Sequence, residues 1–480
     1  MPSPTVPDPR TTLTAPPARW RWLAPLVVAA TIWLVPHAGF SPRVWGLLCL
    51  FGATICGLMT RPLPSGALVI VAITVGALLR LFTIQDALSG FGNVTVWLIV
   101  AAFLFARGFA ETQLGERIAY TIVRRIGGSP LRLGYSLVLA DLVMSPMTPS
   151  NTARAGGVLC PIAQNVARAF GSEPGPTASR IGTFLMKTLY QGDLVVSAMF
   201  LTATAPNPLV AELTRQASGI EVSWLMWAFA ASVPGAVGLL VVPYVVYRLC
   251  PPTVRDTRPA QALAAERLQS MGPMGRRERV MLTVFSTVLL LWLSGEWHGA
   301  SPTTIAYLGL TLLLLTRVLS WQDILEERGA WDALIWFGGL VMLAGQLDKA
   351  GLPRAFAGVA AGLVAGWPWW WGLAALLVIY LYSHYAFASL VAHVTAMFPA
   401  FFAVAIGLGA PPLLAALTFG FFSSLNAATT HYGTGPAPIL FGAGYLSHAQ
   451  WWRVGFVVSL VHLAIWLPIG FLWWKAIGLW

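Results

Sequence analysis

Ser150-Asn151-Thr152-Ala153-Arg154 sets two hydroxyls, an amide and a cation close together inside an otherwise apolar stretch. Just before it, Pro146 and Pro149 break any helix, because each removes a backbone donor and clashes with the preceding turn. A helix restarting at this point offers side-chain donors and free backbone N–H groups, a combination suited to carboxylate oxygens. Capping of the broken helix by Ser, Asn and Thr is the plainer alternative. Arg154 tilts the balance, since a charge at membrane depth is costly and by default marks a functional site.

A second stretch, Phe387-Ala388-Ser389-Leu390-Val391-Ala392-His393, repeats the serine but puts Leu390 and Val391 where the first has an amide and a hydroxyl. It must rely on Ser389 and on backbone N–H groups. His393 stands where the first stretch has Arg154 and joins the candidate site on that ground; His384 lacks such a partner and is expected to be structural. Two further stretches complete the constellation. Thr202 to Pro208 includes Thr204 and Pro206, and Thr429 to Pro438 includes Thr430, His431, Thr434, Gly435 and Pro436. Their glycines and prolines free backbone groups in mid-membrane, which is tolerated only inside protein or beside an aqueous cavity.

Enzyme chemistry has little to work with. The chain carries no H-E-x-x-H, no Walker A loop and no G-x-S-x-G in a strand–helix setting. Asp141 and Asp193 are not obviously paired in the sequence, and the four cysteines lack metal or disulfide spacing. No cofactor and no metal are expected. A membrane-embedded hydrolase would need a nucleophile–base pair, and a channel would not need two deep half-sites.

The elements that must hold these stretches are membrane helices. Of 480 residues 57% are hydrophobic and 10% charged, against roughly 25% charged in a soluble domain, and mean hydropathy is +0.71. Apolar runs of about 18 residues or more recur along the chain, each long enough to cross a bilayer, and only helices satisfy their backbone groups there. The fold class expected is an all-α polytopic membrane protein with about 11 transmembrane helices and two re-entrant hairpins. The net charge of +11 lies in alternate loops, as the positive-inside bias requires, and not in a nucleic-acid patch. The many tryptophans suit interfacial belts.

Residues 1–20 read as a disordered cytoplasmic tail. Scaffold helices with an amphipathic stretch follow over 21–130, then the first hairpin and its companion helices over 131–249. Residues 250–279, rich in Arg, form a hydrophilic cytoplasmic linker. Scaffold helices of a second repeat occupy 280–366, and a second hairpin with its companions occupies 367–480.

Halving the chain at the linker exposes this repeat. Trp97 pairs with Trp336, Ser150 with Ser389 and Arg154 with His393, all at one offset, and Thr204-Ala205-Pro206-Asn207-Pro208 pairs with Thr434-Gly435-Pro436-Ala437-Pro438. The second copy enters the membrane upside down. Inverted repeats with matching interrupted helices point to a transporter's substrate site.

Ser150-Asn151-Thr152 followed by Arg154-Ala155-Gly156-Gly157 resembles the signature of the divalent anion/sodium symporter family. Thr430-His431-Tyr432-Gly433-Thr434-Gly435-Pro436-Ala437-Pro438 with Phe441-Gly442 resembles its exchanger branch, which includes bacterial citrate/succinate and tartrate/succinate antiporters and the plastid 2-oxoglutarate/malate translocator. The resemblance runs from about residue 20 to the end. It implies a homodimeric elevator, and the positive-inside bias of Lys and Arg places this multi-pass chain in the bacterial inner membrane with its amino terminus in the cytoplasm. The resemblance also implies that both tips and both unwound helices hold substrate carboxylates. The departure is at the second tip, where sodium-coupled members carry a second Ser-Asn-Thr.

Physical reasoning favours the same branch. A symporter borrows positive charge from sodium, whereas Arg154 stays with the protein and stays protonated. An empty site carrying an uncompensated guanidinium across would face at least about 2.5–3.5 kcal/mol, so exchange would be fast and empty return slow. The expected function is sodium-independent antiport of small di- or tricarboxylates (succinate, malate, fumarate, tartrate, 2-oxoglutarate or citrate). A sodium-coupled dicarboxylate symporter on the same fold is the alternative. His393, with an ordinary pKa of about 6.5, predicts activity that varies between about pH 6 and 8.

Overall fold

The computed structural model describes residues 19–37, 39–352, 355 and 368–480. The expected disordered tail therefore lies outside the described residues except for Arg19 and Trp20, as does the end of the 280–366 segment. Among the described residues every regular element is helical.

Helices α1 (Arg19–Leu34) and α2 (Pro42–Thr60) pack side by side. Ser41 caps α2 by accepting from Val44 N, and Pro42 takes the first helical position, where its missing N–H costs nothing. Then come α3 (Ser65–Leu78), α4 (Val94–Thr112), which is capped by Asn93, and the amphipathic α5 (Leu114–Ile126).

The first interrupted segment is a helix–break–helix. Helix α6 (Pro130–Met144) ends in a tight turn at Ser145–Met147, and the chain restarts as a wide π-helical stretch, Thr152–Leu159, leading into α7 (Cys160–Ala169). Helices α8 (Gly182–Met199) and α9 (Pro206–Ser218) are separated by the unwound residues 200–205. The long α10 (Trp224–Leu249) follows.

The linker is more ordered than its charge suggested. It holds a helix, α11 (Arg258–Ser270), strapped to the end of α5: Thr257 Oγ1 donates to Gly127 O at 2.6 Å and Gln261 Nε2 to Arg124 O at 2.9 Å. Arg117 of α5 joins the strap through Glu278 Oε1 at 2.6 Å and Gly272 O at 3.0 Å. Polar residues that read as a solvated linker are here the donors and acceptors of a fixed joint.

The second half runs through α12 (Arg276–Leu293), α13 (Pro302–Leu315) and α14 (Arg328–Lys349). Its interrupted segment pairs α15 (Trp369–Ser383) with α16 (Leu390–Gly407) across a turn at His384–Ala386. Helix α17 (Pro412–Leu425) and the short α18 (Pro436–Gly442) flank a second unwound stretch, and α19 (His448–Ile465) continues through a π turn to Ala476.

Two apolar clusters hold these helices. The smaller joins α2, α3 and α14 through Leu50, Val69, Ile73, Leu340 and Leu343. The larger centres on α8, buried along its whole length, and on α17, buried from Leu414 onward; the two pack against each other. Helices buried all round lie inside a bundle, and α8 carries Lys187, Gln191 and Asp193 into that interior. Outside, Leu34, Leu78, Leu290, Leu315 and Leu472 are exposed, as a lipid-facing surface requires. Among the described residues six helices are long and apolar enough to cross a membrane by length and composition, and three shorter apolar helices accompany them. The tryptophans divide: Trp20, Trp297 and Trp371 are exposed, whereas Trp224, Trp227, Trp451, Trp466 and Trp474 are buried. The interfacial belt accounts for only part of them.

Candidate dicarboxylate site

Both hairpin tips are built alike. At the first, Ser150 Oγ accepts from Ala153 N at 3.2 Å and Arg154 N donates to Ser150 O at 3.1 Å. At the second, Ser389 Oγ accepts from Ala392 N at 3.4 Å and His393 N donates to Ser389 O at 3.1 Å. Each serine thus satisfies an orphan donor of the helix it starts. The unwound stretches match as well, Asn207 N donating to Thr204 O and Ala437 N to Thr434 O, both at 3.2 Å. In each, a proline (Pro206, Pro436) opens the helix that follows.

Backbone and side chains then knit the four stretches together. Asn151 Nδ2 donates to Thr434 Oγ1 at 3.1 Å. Gly435 lies so close to Thr152 that a Cβ there would stand 1.8 Å from Thr152 Oγ1. His384 Nε2 meets Gly433 O at 2.9 Å. Thr202 Oγ1 donates to Pro146 O and accepts from Trp224 Nε1 at 2.9 Å.

The four stretches enclose a cleft of about 240 Å³ lined by Ser150, Asn151, Thr152, Thr204, Pro206, Ser389, Thr434 and Gly435 among others. It is smaller than a drug-sized pocket, roughly 300–1,000 Å³, and suits a compact metabolite. Hydroxyls, one amide and backbone at two helix starts make it a donor-rich place for carboxylate oxygens.

Arg154 does not reach this cleft. Its guanidinium is buried behind the first tip, donating through Nε to Asp141 Oδ1 at 2.8 Å and through Nη2 to Asp193 Oδ1 at 3.3 Å and Ser197 Oγ at 3.2 Å. Nη1 donates to the carbonyls of Thr148 and Ala203. The two aspartates that look unrelated in sequence converge on one cation, because α6 and α8 pack together and both face the π-helical stretch. The expectation of an uncompensated guanidinium is therefore corrected: its charge is matched within the protein, and the crossing penalty derived from it does not arise in that form.

His393 is likewise withdrawn from the cleft. It is buried among Tyr380, His384 and Phe387, with Nε2 against Ser383 Oγ at 2.8 Å and Nδ1 against Asn426 Nδ2 at 3.0 Å. Ser383 Oγ also donates to Tyr380 O at 2.9 Å, so the ring is held between two helices and a turn and not in the cleft. Thr430 and Pro436 are buried and are not among the residues that line the cleft. His431 points elsewhere, toward Phe441, His448 and Trp452, accepting from Trp452 Nε1 at 3.1 Å.

The profile described as the sodium:sulfate symporter transmembrane region matches residues 17–480. The chain is a member of the divalent anion/sodium symporter family. It is 48% identical over 460 residues to the putative malate transporter YflS of Bacillus subtilis (strain 168), covering 95% of this chain and 96% of that one. It is 45% identical over 464 residues to the chloroplastic dicarboxylate transporter 1 of Spinacia oleracea, covering 95% and 81%. Its fold matches the YdaH transporter of Alcanivorax borkumensis with a TM-score of 0.58 at 14% identity, covering 96% of this chain and 97% of that one. The chain is a transporter and not an enzyme, as its sequence led us to expect.

Two contributors to the family member's cleft were missed in the sequence. Phe103 of α4 and Arg61, at the carboxyl end of α2, both line it. Arg61 Nη2 donates to Ala388 O, next to Ser389, at 2.5 Å. An arginine at a helix end reads as an interfacial anchor, and nothing local in the sequence says that the end meets a hairpin tip more than 300 residues away.

Proposed function

We propose that the protein exchanges one small dicarboxylate for another without sodium. The observation that carries this reading is the cage around Arg154. Two carbonyls, a hydroxyl and two carboxylates converge directly behind Ser150-Asn151-Thr152. Such an all-oxygen set suits a hard cation, and here a cation that cannot leave occupies it. A transported sodium ion has no room at this tip, so coupling falls to the counter-substrate. Behind the second tip, His393 fills the equivalent position.

The names of the relatives support dicarboxylates as cargo. Succinate, malate, fumarate, tartrate, 2-oxoglutarate and citrate all present the carboxylates that the cleft suits. The matching caps at Ser150 and Ser389, and at Thr204 and Thr434, support an inverted repeat. On this reading the hairpins and their companion helices, 131–249 and 367–480, move as the transport unit of an elevator, while 21–130 and 280–366 form the scaffold of a homodimer. The chain sits in the bacterial inner membrane with its amino terminus in the cytoplasm.

Sodium-coupled symport is the second reading, favoured by the description of the family profile. Uptake of labelled succinate into succinate-loaded proteoliposomes, compared in sodium and choline buffers, separates the two. Equal rates support exchange; uptake into empty vesicles that rises with sodium overturns it.

A further inference from the structure

We infer that Arg61 binds one carboxylate of the cargo, so that α2, outside both hairpins, forms part of the substrate site. This rests on the reading of the cleft as a dicarboxylate site and names the charge that completes it. Positive charge beside the cleft holds a doubly negative cargo while the tips face α2. Among the described residues lining the cleft, Arg61 alone carries a formal charge, because Arg154 and His393 lie behind the tips with their own partners.

Its placement also accounts for the unequal tips. The first tip offers Asn151 and Thr152 to the cleft; the second has Leu390 and Val391 there. Arg61 reaches the second tip through Ala388 O, which brings donors to the side that lacks them. A guanidinium has five donors, of which one is engaged among the described residues. The others present the planar fork that pairs with a carboxylate in two parallel bonds.

The backbone fixes where the side chain starts. Arg61 sits at φ 50°, in the left-handed region, immediately before Pro62, a helix stop of the kind that Arg80, Gln113 and Arg317 also make. The left-handed turn ends α2, Arg61 N donating to Gly57 O at 2.8 Å, at the point where the side chain enters the cleft.

One carboxylate then meets the first tip and the unwound stretches, and the other meets Arg61, so the distance between them selects cargo by length. The test compares wild type, Arg61→Gln and Arg61→Lys in succinate-loaded proteoliposomes. KM for labelled succinate should rise about ten- to a hundredfold in Arg61→Gln, the range of a lost charged hydrogen bond, with an intermediate rise in Arg61→Lys and the maximal rate kept. Inhibition by butyrate, which lacks the second carboxylate, should be unchanged. Succinate should stabilise detergent-solubilised wild type against heat more than Arg61→Gln, a readout that does not depend on transport. An unchanged KM and unchanged stabilisation in Arg61→Gln would overturn the assignment, as would a reduced maximal rate with KM intact, which would make Arg61 a clamp on the hairpin. Failure of wild type to exchange dicarboxylates would instead overturn the reading of the cleft itself.

Discussion

Arg154 shows how far a residue's type can be read and where its surroundings take over. An arginine two positions past a polar tip is correctly singled out as unusual, yet its role depends on partners from other helices. Asp141 and Asp193 each leave their second carboxylate oxygen without a hydrogen-bond partner among the described residues, so the guanidinium is what makes their burial tolerable. Removing one partner of a buried ionic group leaves the others uncompensated and costs about 3–5 kcal/mol. Arg154→Ala should therefore lower thermal stability sharply before it says anything about transport. Combining it with Asp141→Asn and Asp193→Asn should recover folded protein, measured by thermal unfolding in detergent. Gly435→Ala is a cleaner probe of the cleft. Its Cβ would fall 1.8 Å from Thr152 Oγ1, and overpacking of this kind costs about 1–3 kcal/mol; exchange should fall steeply while the protein still folds. Because His393 is buried away from the cleft, with Ser383 and Asn426 against its two ring nitrogens, substitution at His393 should leave the shape of the exchange rate against pH between about 6 and 8 unaltered, contrary to the expectation from its type alone.

At the scale of elements, the breaks were legible because proline and glycine act locally. Pro146, Pro149, Pro206 and Pro436 end or open helices within a residue or two of where their chemistry requires. The joint between elements was not legible. Glu212 of α9 is buried and accepts from Asn93 Nδ2 at 2.9 Å and Thr95 Oγ1 at 3.2 Å, at the amino end of α4. Asn93 is also the cap of α4, its Oδ1 accepting from Thr95 N and Val96 N. A carboxylate at a helix amino terminus is favourable, so this contact ties a helix of the proposed transport unit to one of the proposed scaffold. If the unit moves as an elevator, the tie must open in every cycle. Cysteines at Asn93 and Glu212, on a background lacking the four native cysteines, should block exchange when bridged by a short reversible cross-linker and restore it on reduction. Undiminished exchange in the bridged protein would contradict relative movement of α9 and α4.

For the whole molecule, composition alone announced helices in a membrane, and the family follows from motifs spread along the chain. The cleft was legible where both contributors carried polar or helix-breaking side chains, as at Ser150, Thr204, Ser389 and Thr434. It was not legible where a distant element completes it, as Arg61 does, because sequence spacing carries no information about which helix ends meet. The ordered linker helix α11 was hidden for a related reason, since a hydroxyl, an amide and a carboxylate of the linker serve a joint with α5.

The central claim is that a fixed cation replaces a travelling one. Purified protein in liposomes loaded with succinate, or left empty, should be offered labelled succinate in sodium or in choline buffer. Rapid uptake into loaded vesicles at equal rates in both buffers, and little uptake into empty ones, is the expected result. Uptake into empty vesicles that depends on an inward sodium gradient would contradict it.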